Sequence, residues 1–162
     1  MFFMARPEAL DWSIDNCTIA RAVEVFGDRW SFVVMREVFN GVRRFDDMQV
    51  RTSIPRQVLS DRLAKLVDSG LLRREPYREP GQRARDEYRL TQKGMDLYPV
   101  LVALLDWGNH YVAGPEGAPL EFAHRDCGAE VHATLTCEAG HDVTEVRNVI
   151  PRIGPGARKR SA

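Results

Sequence analysis

The chain has 162 residues, 44% of them hydrophobic and 28% charged, a composition typical of a globular protein with a core of its own. Its Lys and Arg side chains equal its Asp and Glu side chains in number, so the formal net charge is zero. No apolar run approaches the roughly 20 residues of a membrane-spanning helix, which excludes an integral membrane protein and predicts no membrane partner.

Cysteine use and the first residues bear on the compartment. Cys17, Cys127 and Cys137 are too few and too scattered for a disulfide framework, which favours a reducing cytoplasm. The opening stretch MFFMARPEALDW has neither a basic n-region nor a small-residue cleavage site, so it does not predict a signal peptide. We therefore expect a cytoplasmic protein in which residues 1–14 form an N-terminal arm.

Helical spacing of apolar residues predicts two helices near the start of the chain. Asp15 or Asn16 can cap the first helix, which ends at Gly27. Asp28 can cap the second, DRWSFVVMREVFNG, which ends at Gly41. The apolar positions that this spacing turns inward are Ile19, Val23 and Phe26 in the first helix, and Trp30, Val33, Val34, Val38 and Phe39 in the second.

Two further helices follow in a basic part of the chain. From Gly41 to Lys93 there are 13 Lys or Arg against 8 Asp or Glu, a local net charge of +5 that suits contact with phosphates. RFDDMQV predicts a short third helix, and Pro55 opens a fourth, PRQVLSDRLAKLVDSG, because proline costs little in a first turn. The apolar face of the fourth helix consists of Val58, Leu59, Leu63, Leu66 and Val67.

The hydrophobic period then changes from that of a helix to that of a strand. LLRREPY and DEYRL predict two strands, and Pro80-Gly81 marks a turn in the loop between them. Thr91 can cap a last long helix from about Gln92 to Tyr111, which Pro99 would kink.

Beyond the last helix the composition changes again. GPEGAP, residues 114–119, predicts a linker, and residues 120–151 predict a small β-rich extension of two or three short strands, because their hydrophobicity alternates. Residues 152–162 are rich in Pro, Gly and basic side chains, which predicts a disordered basic tail.

The fourth helix has the two faces that a DNA-reading helix needs. Opposite its apolar face lie small and polar side chains, including Gln57 and Ser60, that can approach base edges closely. Gln57 could pair with adenine, and Arg56 with guanine or a phosphate. The alternative is an amphipathic helix that packs on the core and contacts no nucleic acid.

The loop between the two strands carries three arginines within eight residues, Arg78, Arg83 and Arg85. Such a loop can reach the minor groove or the flanking phosphates. The alternative is a solvated loop whose arginines pair with Glu79, Asp86 and Glu87. The order helix, short helix, turn, helix, strand, basic loop, strand favours the DNA interpretation.

Several separated motifs lie in register from about Cys17 to Tyr111. They are a Cys followed by G-x-[RK]-W, then R-R-F, V-L-x-x-R-L-x-x-L, Y-x-L-T-x-x-G and a closing W-G. Together they resemble the HxlR family, relatives of the MarR-type winged-helix regulators. The resemblance implies a mainly α fold with a β-wing (α+β), a winged helix-turn-helix over residues 15–113. It also implies a sequence-specific repressor or activator that binds double-stranded DNA, associates with the nucleoid, has no catalytic activity and requires no cofactor.

The resemblance further implies a homodimer built from the first and last helices, with two recognition helices about one turn of DNA apart. It places Ile19, Val23, Trp107 and Tyr111 near the dimer contact. The alternative is that these side chains only close the monomer core.

The predicted DNA contacts extend beyond the fourth helix and the loop. Where the family usually has a serine this chain has Pro55, so Ser53 or Arg56 would have to contact phosphate there. Arg62 lies at the edge of the apolar arc, which favours a buttress or a phosphate contact over base reading. The full predicted set is Arg43, Arg44, Ser53, Arg56, Gln57, Ser60, Arg62, Arg78, Arg83 and Arg85.

Two groups of residues could sense a signal. Cys17 stands where some members of the family carry an oxidant-sensing thiol, and the alternative is a small residue that packs an interface. His124-x2-Cys127 and Cys137-x3-His141 pair soft ligands on tight turns and could hold a structural zinc. The alternatives are a reduced hairpin with two free cysteines or a single disulfide between them.

Two other classes of function compete with DNA binding. A metal-dependent or thiol enzyme would need a nucleophile, an oriented base and a pocket, and the sequence offers no such set. A winged helix that binds a protein partner is an alternative to a DNA-binding regulator, as is a redox-sensing regulator switched through Cys17.

Overall fold

A computed structural model describes residues 12–81 and 83–160. Its elements are helices α1 (Thr18–Phe26), α2 (Arg29–Phe39), α3 (Phe45–Thr52) and α4 (Arg56–Asp68), strands β1 (Leu72–Tyr77) and β2 (Arg85–Leu90), and helices α5 (Gln92–Met95) and α6 (Tyr98–Tyr111). A short 3-10 helix follows at Val146–Asn148. Among the described residues, no helix combines the length and the hydropathy that crossing a bilayer requires.

The chain divides into two compact units. One runs from Val25 to Ala133 and holds α2 to α6 with both strands, and the other holds residues 12–24 and 134–160. The predicted arm at 1–14 falls mostly outside the described residues, as do the last two residues of the predicted tail at 152–162.

Helices α2 and α4 form the core of the larger unit. Asp28 caps α2 as expected, because its carboxylate accepts a hydrogen bond from the backbone N of Ser31 at 3.0 Å. On α4 the inward face is the predicted one, with Leu59, Leu63 and Leu66 fully buried. The buried core cluster is Val34, Met35, Val38, Met48, Ile54, Leu59, Leu63, Leu66, Leu71, Leu72 and Leu97.

A tight turn at residues 53–55 joins α3 to α4 and sets the helix-turn-helix. Ser53 takes a left-handed conformation with φ of 54°, and its backbone N donates to the carbonyl of Gln49 at 2.9 Å. Ile54 is fully buried beneath the turn, and Pro55 occupies the position directly before α4 with a φ of −54°. The turn therefore fixes α4 with its outer face exposed.

The two predicted strands form an antiparallel hairpin. Leu72 lies opposite Leu90 at its base, and Tyr77 lies opposite Arg85 at its outer end. The loop beyond contains Gly81 at a φ of 78°, a conformation that suits the turn predicted at Pro80-Gly81. The predicted order of helices, strands and basic loop is thus confirmed.

Two predictions of secondary structure are wrong. The long helix expected from Gln92 is two helices, because α5 ends at Met95 and α6 begins at Tyr98. Pro99 lies in the first turn of α6, where no carbonyl of a preceding helical turn is present to clash with its ring.

The strands expected in residues 120–151 are absent from that described segment, which has only isolated β-bridges at Ala123–Glu130 and Thr136–Asp142. Apolar side chains there, such as Leu135 at 69% exposed, have no second layer to cover them.

Candidate nucleic-acid interface

The outer face of α4 exposes three of the residues predicted to contact DNA. Arg56, Gln57 and Ser60 are all exposed, on the side opposite the buried leucines. The Gln57 side-chain amide donates to the Asp61 carboxylate at 2.8 Å, a contact between side chains four residues apart. This contact orders the amide on the exposed surface of the helix.

Arg56 is held at the start of α4 by two contacts from α3. Its guanidinium lies over the ring of Phe45, 4.8 Å from the ring centre, and its Nη1 is 3.2 Å from a carboxylate oxygen of Asp46. Cation–π stacking of this kind orients a guanidinium while leaving its edge available for hydrogen bonds. About two thirds of the Arg56 side chain remains exposed.

Asp46 also forms an ion pair with the hairpin. Its second carboxylate oxygen is 3.3 Å from Nη1 of Arg85, the first residue of β2. One acidic side chain on α3 therefore joins an arginine of α4 to an arginine of the hairpin.

The loop before α3 packs against the hairpin from the other side. Arg43 accepts a hydrogen bond at its carbonyl from the backbone N of Tyr88 at 2.8 Å, and Arg44 forms a β-bridge with Glu87. The Arg44 guanidinium lies 4.3 Å from the ring centre of Tyr77 and 2.6 Å from Glu79, whose hydrogen bond raises the pKa of Arg44.

A polar hollow of about 720 Å³ lies between α3, the start of α4 and the hairpin. Arg44, Arg56 and Arg85 line it together with Asp46 and Glu79. Four other predicted contacts do not line this hollow but are exposed: Arg43, Ser53, Arg78 and Arg83.

Arg62 differs from the other predicted contacts because it faces the protein. Its Nη1 is 3.4 Å from the Asp28 carboxylate, and only a third of its side chain is exposed. Burial alone would raise the pKa of Asp28, but hydrogen bonds from Ser31 and the charges of Arg62 and Lys65 outweigh it and hold that pKa below its ordinary value. Arg62 therefore ties α4 to the cap of α2.

A buried carboxylate that the sequence analysis did not identify lies behind this surface. Glu37 is fully buried on α2, where Arg36 contacts one of its oxygens at 2.6 Å and Arg51 of α3 contacts the other at 2.5 Å. The sequence signal for Glu37 was an acidic residue at helical spacing from Val33 and Val34, on the apolar side of α2. The contact with Arg51 depends on tertiary packing, which spacing along the chain does not reveal.

The residues predicted at the dimer contact are exposed in both units. In the smaller unit Ile19 is 74% exposed and Val23 is 55% exposed. In the larger unit Trp107 is 58% exposed and Tyr111 is 68% exposed, and their ring centres lie 5.4 Å apart on one side of α6. Large apolar side chains exposed in this way are available to a partner.

The predicted sensor residues form separate features. Cys17 is a free, half-buried thiol directly before α1. In the larger unit the Cys127 sulfur is 3.3 Å from Nδ1 of His124, and in the smaller unit the Cys137 sulfur is 3.5 Å from Nδ1 of His141. The two predicted pairs thus form, but among the described residues neither has a third His, Cys, Asp or Glu placed to complete a metal site. A four-ligand zinc site stays a prediction, as does redox sensing by Cys17.

Comparison with known proteins places this arrangement in a family. The family model described as HxlR-like helix-turn-helix matches residues 25–115. An uncharacterized HTH-type transcriptional regulator of Mycobacterium tuberculosis is 42% identical over 146 residues, which make up 90% of each chain. That similarity therefore runs well past residue 115 into the extension.

Solved structures show the same architecture. The crystal structure of PA1607, titled as a candidate transcription factor, has a TM-score of 0.75 at 30% identity and covers 87% of this chain and 96% of its own. PA1374 of Pseudomonas aeruginosa, likewise titled, has a TM-score of 0.60 at 34% identity and covers 86% and 94%.

Proposed function

The chain belongs to the HxlR-like helix-turn-helix family, and from that premise we propose that this transcriptional regulator binds specific double-stranded DNA as a homodimer. In this proposal α4 enters the major groove, where Gln57 and Arg56 contact bases. The hairpin of β1 and β2 acts as the wing, and its arginines contact the minor groove or the flanking phosphates.

The observation that carries the proposal is the exposed polar face of α4, with arginines of the hairpin beside it. Arg56 and Arg85 are both more than half exposed, and each is paired with the equally exposed Asp46. Exposed ion pairs contribute only about 0–1 kcal/mol, so phosphate oxygens can replace the carboxylate at little cost. Each arginine that moves to a phosphate also releases counterions from the DNA.

The homodimer rests on exposed apolar side chains. Trp107 and Tyr111 present two adjacent aromatic rings on α6, and Ile19 and Val23 present an apolar stripe on α1. A dimer through these helices would carry two copies of α4, which matches a DNA site of two half-sites about one helical turn apart.

The roles of the two DNA elements can be separated with Gln57→Ala and Arg83→Ala. Gln57→Ala should cost about 1–3 kcal/mol on the preferred duplex and little on a scrambled one, because base reading is lost. Arg83→Ala should weaken both duplexes alike and lower the slope of log affinity against log salt by about 1. Fluorescence anisotropy on DNA from the upstream region of the protein's own gene, at several salt concentrations, measures both effects.

The chain offers a matched control for Gln57. Gln92 donates to Asp96 at 2.8 Å through the same spacing of four residues, but it lies on α5. Gln92→Ala should therefore leave both DNA affinities unchanged. Equal losses from Gln57→Ala on both duplexes would overturn base reading by α4, and an affinity that does not depend on salt would favour a module that binds protein.

A further inference from the structure

An apolar cavity of about 330 Å³ lies in the larger unit, between α2, α6 and the segment that follows α6. Its walls include Val33 of α2, Leu101, Leu105 and Gly108 of α6, and Leu120 and Phe122 of that segment. This volume and this lining are typical of small-molecule sites, which are mostly apolar with a few placed polar groups.

The segment after α6 that forms one wall of the cavity is held in place by specific contacts. The Asn109 side-chain amide donates to the carbonyl of Leu120 at 2.9 Å, and the ring of Phe122 packs 5.6 Å from that of Tyr98. Leu120 and Phe122 lie beyond residue 115, where the match to the family model ends. One wall of the cavity is therefore formed by a part of the chain outside the common helix-turn-helix domain.

The charged side chain on the cavity wall is Arg36. It shares Glu37 with Arg51, so two guanidinium groups face one carboxylate and the cluster carries a net charge of +1. A residual positive charge beside an apolar cavity complements a ligand that is apolar at one end and anionic at the other.

We propose that this cavity binds a small apolar molecule with one carboxylate, such as an aromatic acid, and that binding weakens the affinity for DNA. The ring enters between α2 and α6, and the carboxylate pairs with Arg36. Arg36 is thereby drawn from Glu37, which leaves the buried carboxylate with Arg51 alone and loosens the contact between α2 and the helix-turn-helix. The regulatory half rests on the proposed DNA-binding function, whereas the binding half does not.

The part of α6 that lines the cavity borders the face predicted to form the dimer. Leu101, Leu105 and Gly108 line the cavity at helical spacing, and so does Leu104, which lies three residues before Trp107 and seven before Tyr111 on the same side of the helix. A subunit contact that reaches Leu104 is therefore the alternative that the experiment has to separate from ligand binding.

Binding is tested by calorimetry with 2-naphthoate and its neutral analogue 2-naphthamide. The wild-type protein should bind the acid at least about tenfold more tightly than the amide, because only the acid pairs with Arg36. Arg36→Gln should remove that preference. Gly108→Leu should abolish binding of both, because Gly108 lines the cavity, a Cβ there would meet no atom within 4 Å, and the rest of the leucine side chain would take up the ligand's volume.

Three results would overturn the binding half of the proposal. They are equal affinities for acid and amide, unchanged binding to Gly108→Leu, and loss of the dimer in Gly108→Leu by sedimentation, which would make the cavity a subunit contact.

Fluorescence anisotropy tests the regulatory half of the proposal. Saturating 2-naphthoate should weaken DNA binding several-fold in the wild type and not in Gly108→Leu. An unchanged DNA affinity in the wild type would overturn this half. Naphthoate binding by a wild type that binds no DNA would overturn the proposed function and leave the cavity as a ligand site.

Discussion

At the scale of single residues, Glu37 shows how a charge is tolerated in the core. Carboxylates are almost never fully buried unless paired, and Glu37 has an arginine on each oxygen. Burial alone would raise the pKa of Glu37, but hydrogen bonds from Arg51 and Arg36, together with their charges, outweigh it and lower that pKa below its ordinary value. The ionised form is therefore the one that stabilises the fold.

Glu37→Gln should lower the free energy of unfolding by about 1–3 kcal/mol at neutral pH, because the hydrogen bonds to two cations are weakened. Since the pKa is depressed in the folded state, the stabilising effect is present above the unfolded value of about 4.3 and is lost as pH falls through the folded value. The difference between the two proteins in urea unfolding should therefore shrink below about pH 4. Glu116→Gln, in the exposed linker, is the control, and a difference independent of pH would contradict the account.

The motif Y-x-L-T-x-x-G has a physical explanation in two of its residues. The Thr91 hydroxyl donates to the carbonyl of Gly70 at 2.6 Å and accepts from the backbone N of Gly94 at 3.1 Å, so it joins the end of α4 to the start of α5. A Cβ on Gly94 would lie 2.2 Å from the carbonyl oxygen of Leu71. Only glycine permits this approach of one backbone to another.

Gly94→Ala should therefore destabilise the protein by more than about 2 kcal/mol, because the backbone of Leu71 would have to move. Gly108→Ala is the matched control, since it is also a helical glycine but has no atom within 4 Å of the added Cβ. It should leave stability unchanged or raise it by up to about 1 kcal/mol. Urea denaturation followed by circular dichroism measures both, and equal midpoints would show that the close approach is not limiting.

At the scale of secondary-structure elements, the sequence predicted well what local signals determine. Helices α2 and α4 and the hairpin each combine a clear hydrophobic period with residues that favour the start, the end or the turn of the element. The two kinds of signal predict the same secondary structure in each case. Pro99 was misjudged because a proline within a long apolar pattern can either kink a helix or begin one. The extension alternates in hydrophobicity as a strand does, but alternation forms a sheet only where another layer covers the apolar face.

The candidate DNA interface was predicted as a set of basic and small polar residues, but the ion pairs among its side chains were not predicted. The alternative considered from sequence paired the loop arginines with Glu79, Asp86 and Glu87, their near neighbours. In the structure Arg85 pairs with Asp46, 39 residues away, and Glu79 pairs with Arg44. Such pairs depend on how α3 packs against the hairpin.

Asp46 should limit indiscriminate binding to DNA, because it places a negative charge between Arg56 and Arg85. Asp46→Asn should raise affinity for a scrambled duplex by about three- to tenfold and steepen the salt slope, since both arginines are released toward phosphates. The ratio of specific to nonspecific affinity should fall, because Arg56 is less firmly held. Asp68→Asn removes an exposed acid at the other end of α4 and is the control; an equal gain there would make the effect one of net charge alone.

At the scale of the whole molecule, a net charge of zero hides an uneven distribution. The stretch from Gly41 to Lys93 is basic by five charges, and it forms α3, α4 and the hairpin. This uneven distribution of charge along the chain could be read from the sequence alone. The proposed homodimer would depend on contacts with a second chain, so the only sequence signals for it are a family resemblance and a few apolar residues near the two ends of the predicted domain.

The proposed homodimer predicts that Trp107→Glu combined with Tyr111→Lys yields a folded monomer, because both side chains are exposed in the single chain and contribute little to its core. Sedimentation velocity should show half the wild-type mass, with unchanged circular dichroism. Affinity for a DNA site with two half-sites should fall by about a hundredfold or more, since the second contact is no longer intramolecular, while affinity for a single half-site stays the same.

The control is Leu135→Lys, which changes an equally exposed apolar residue in the extension and should leave both the sedimenting mass and the DNA affinity unchanged. A double variant that sediments as a dimer would show that α6 does not carry the interface, and the apolar stripe of Ile19 and Val23 on α1 would then be the surface to alter.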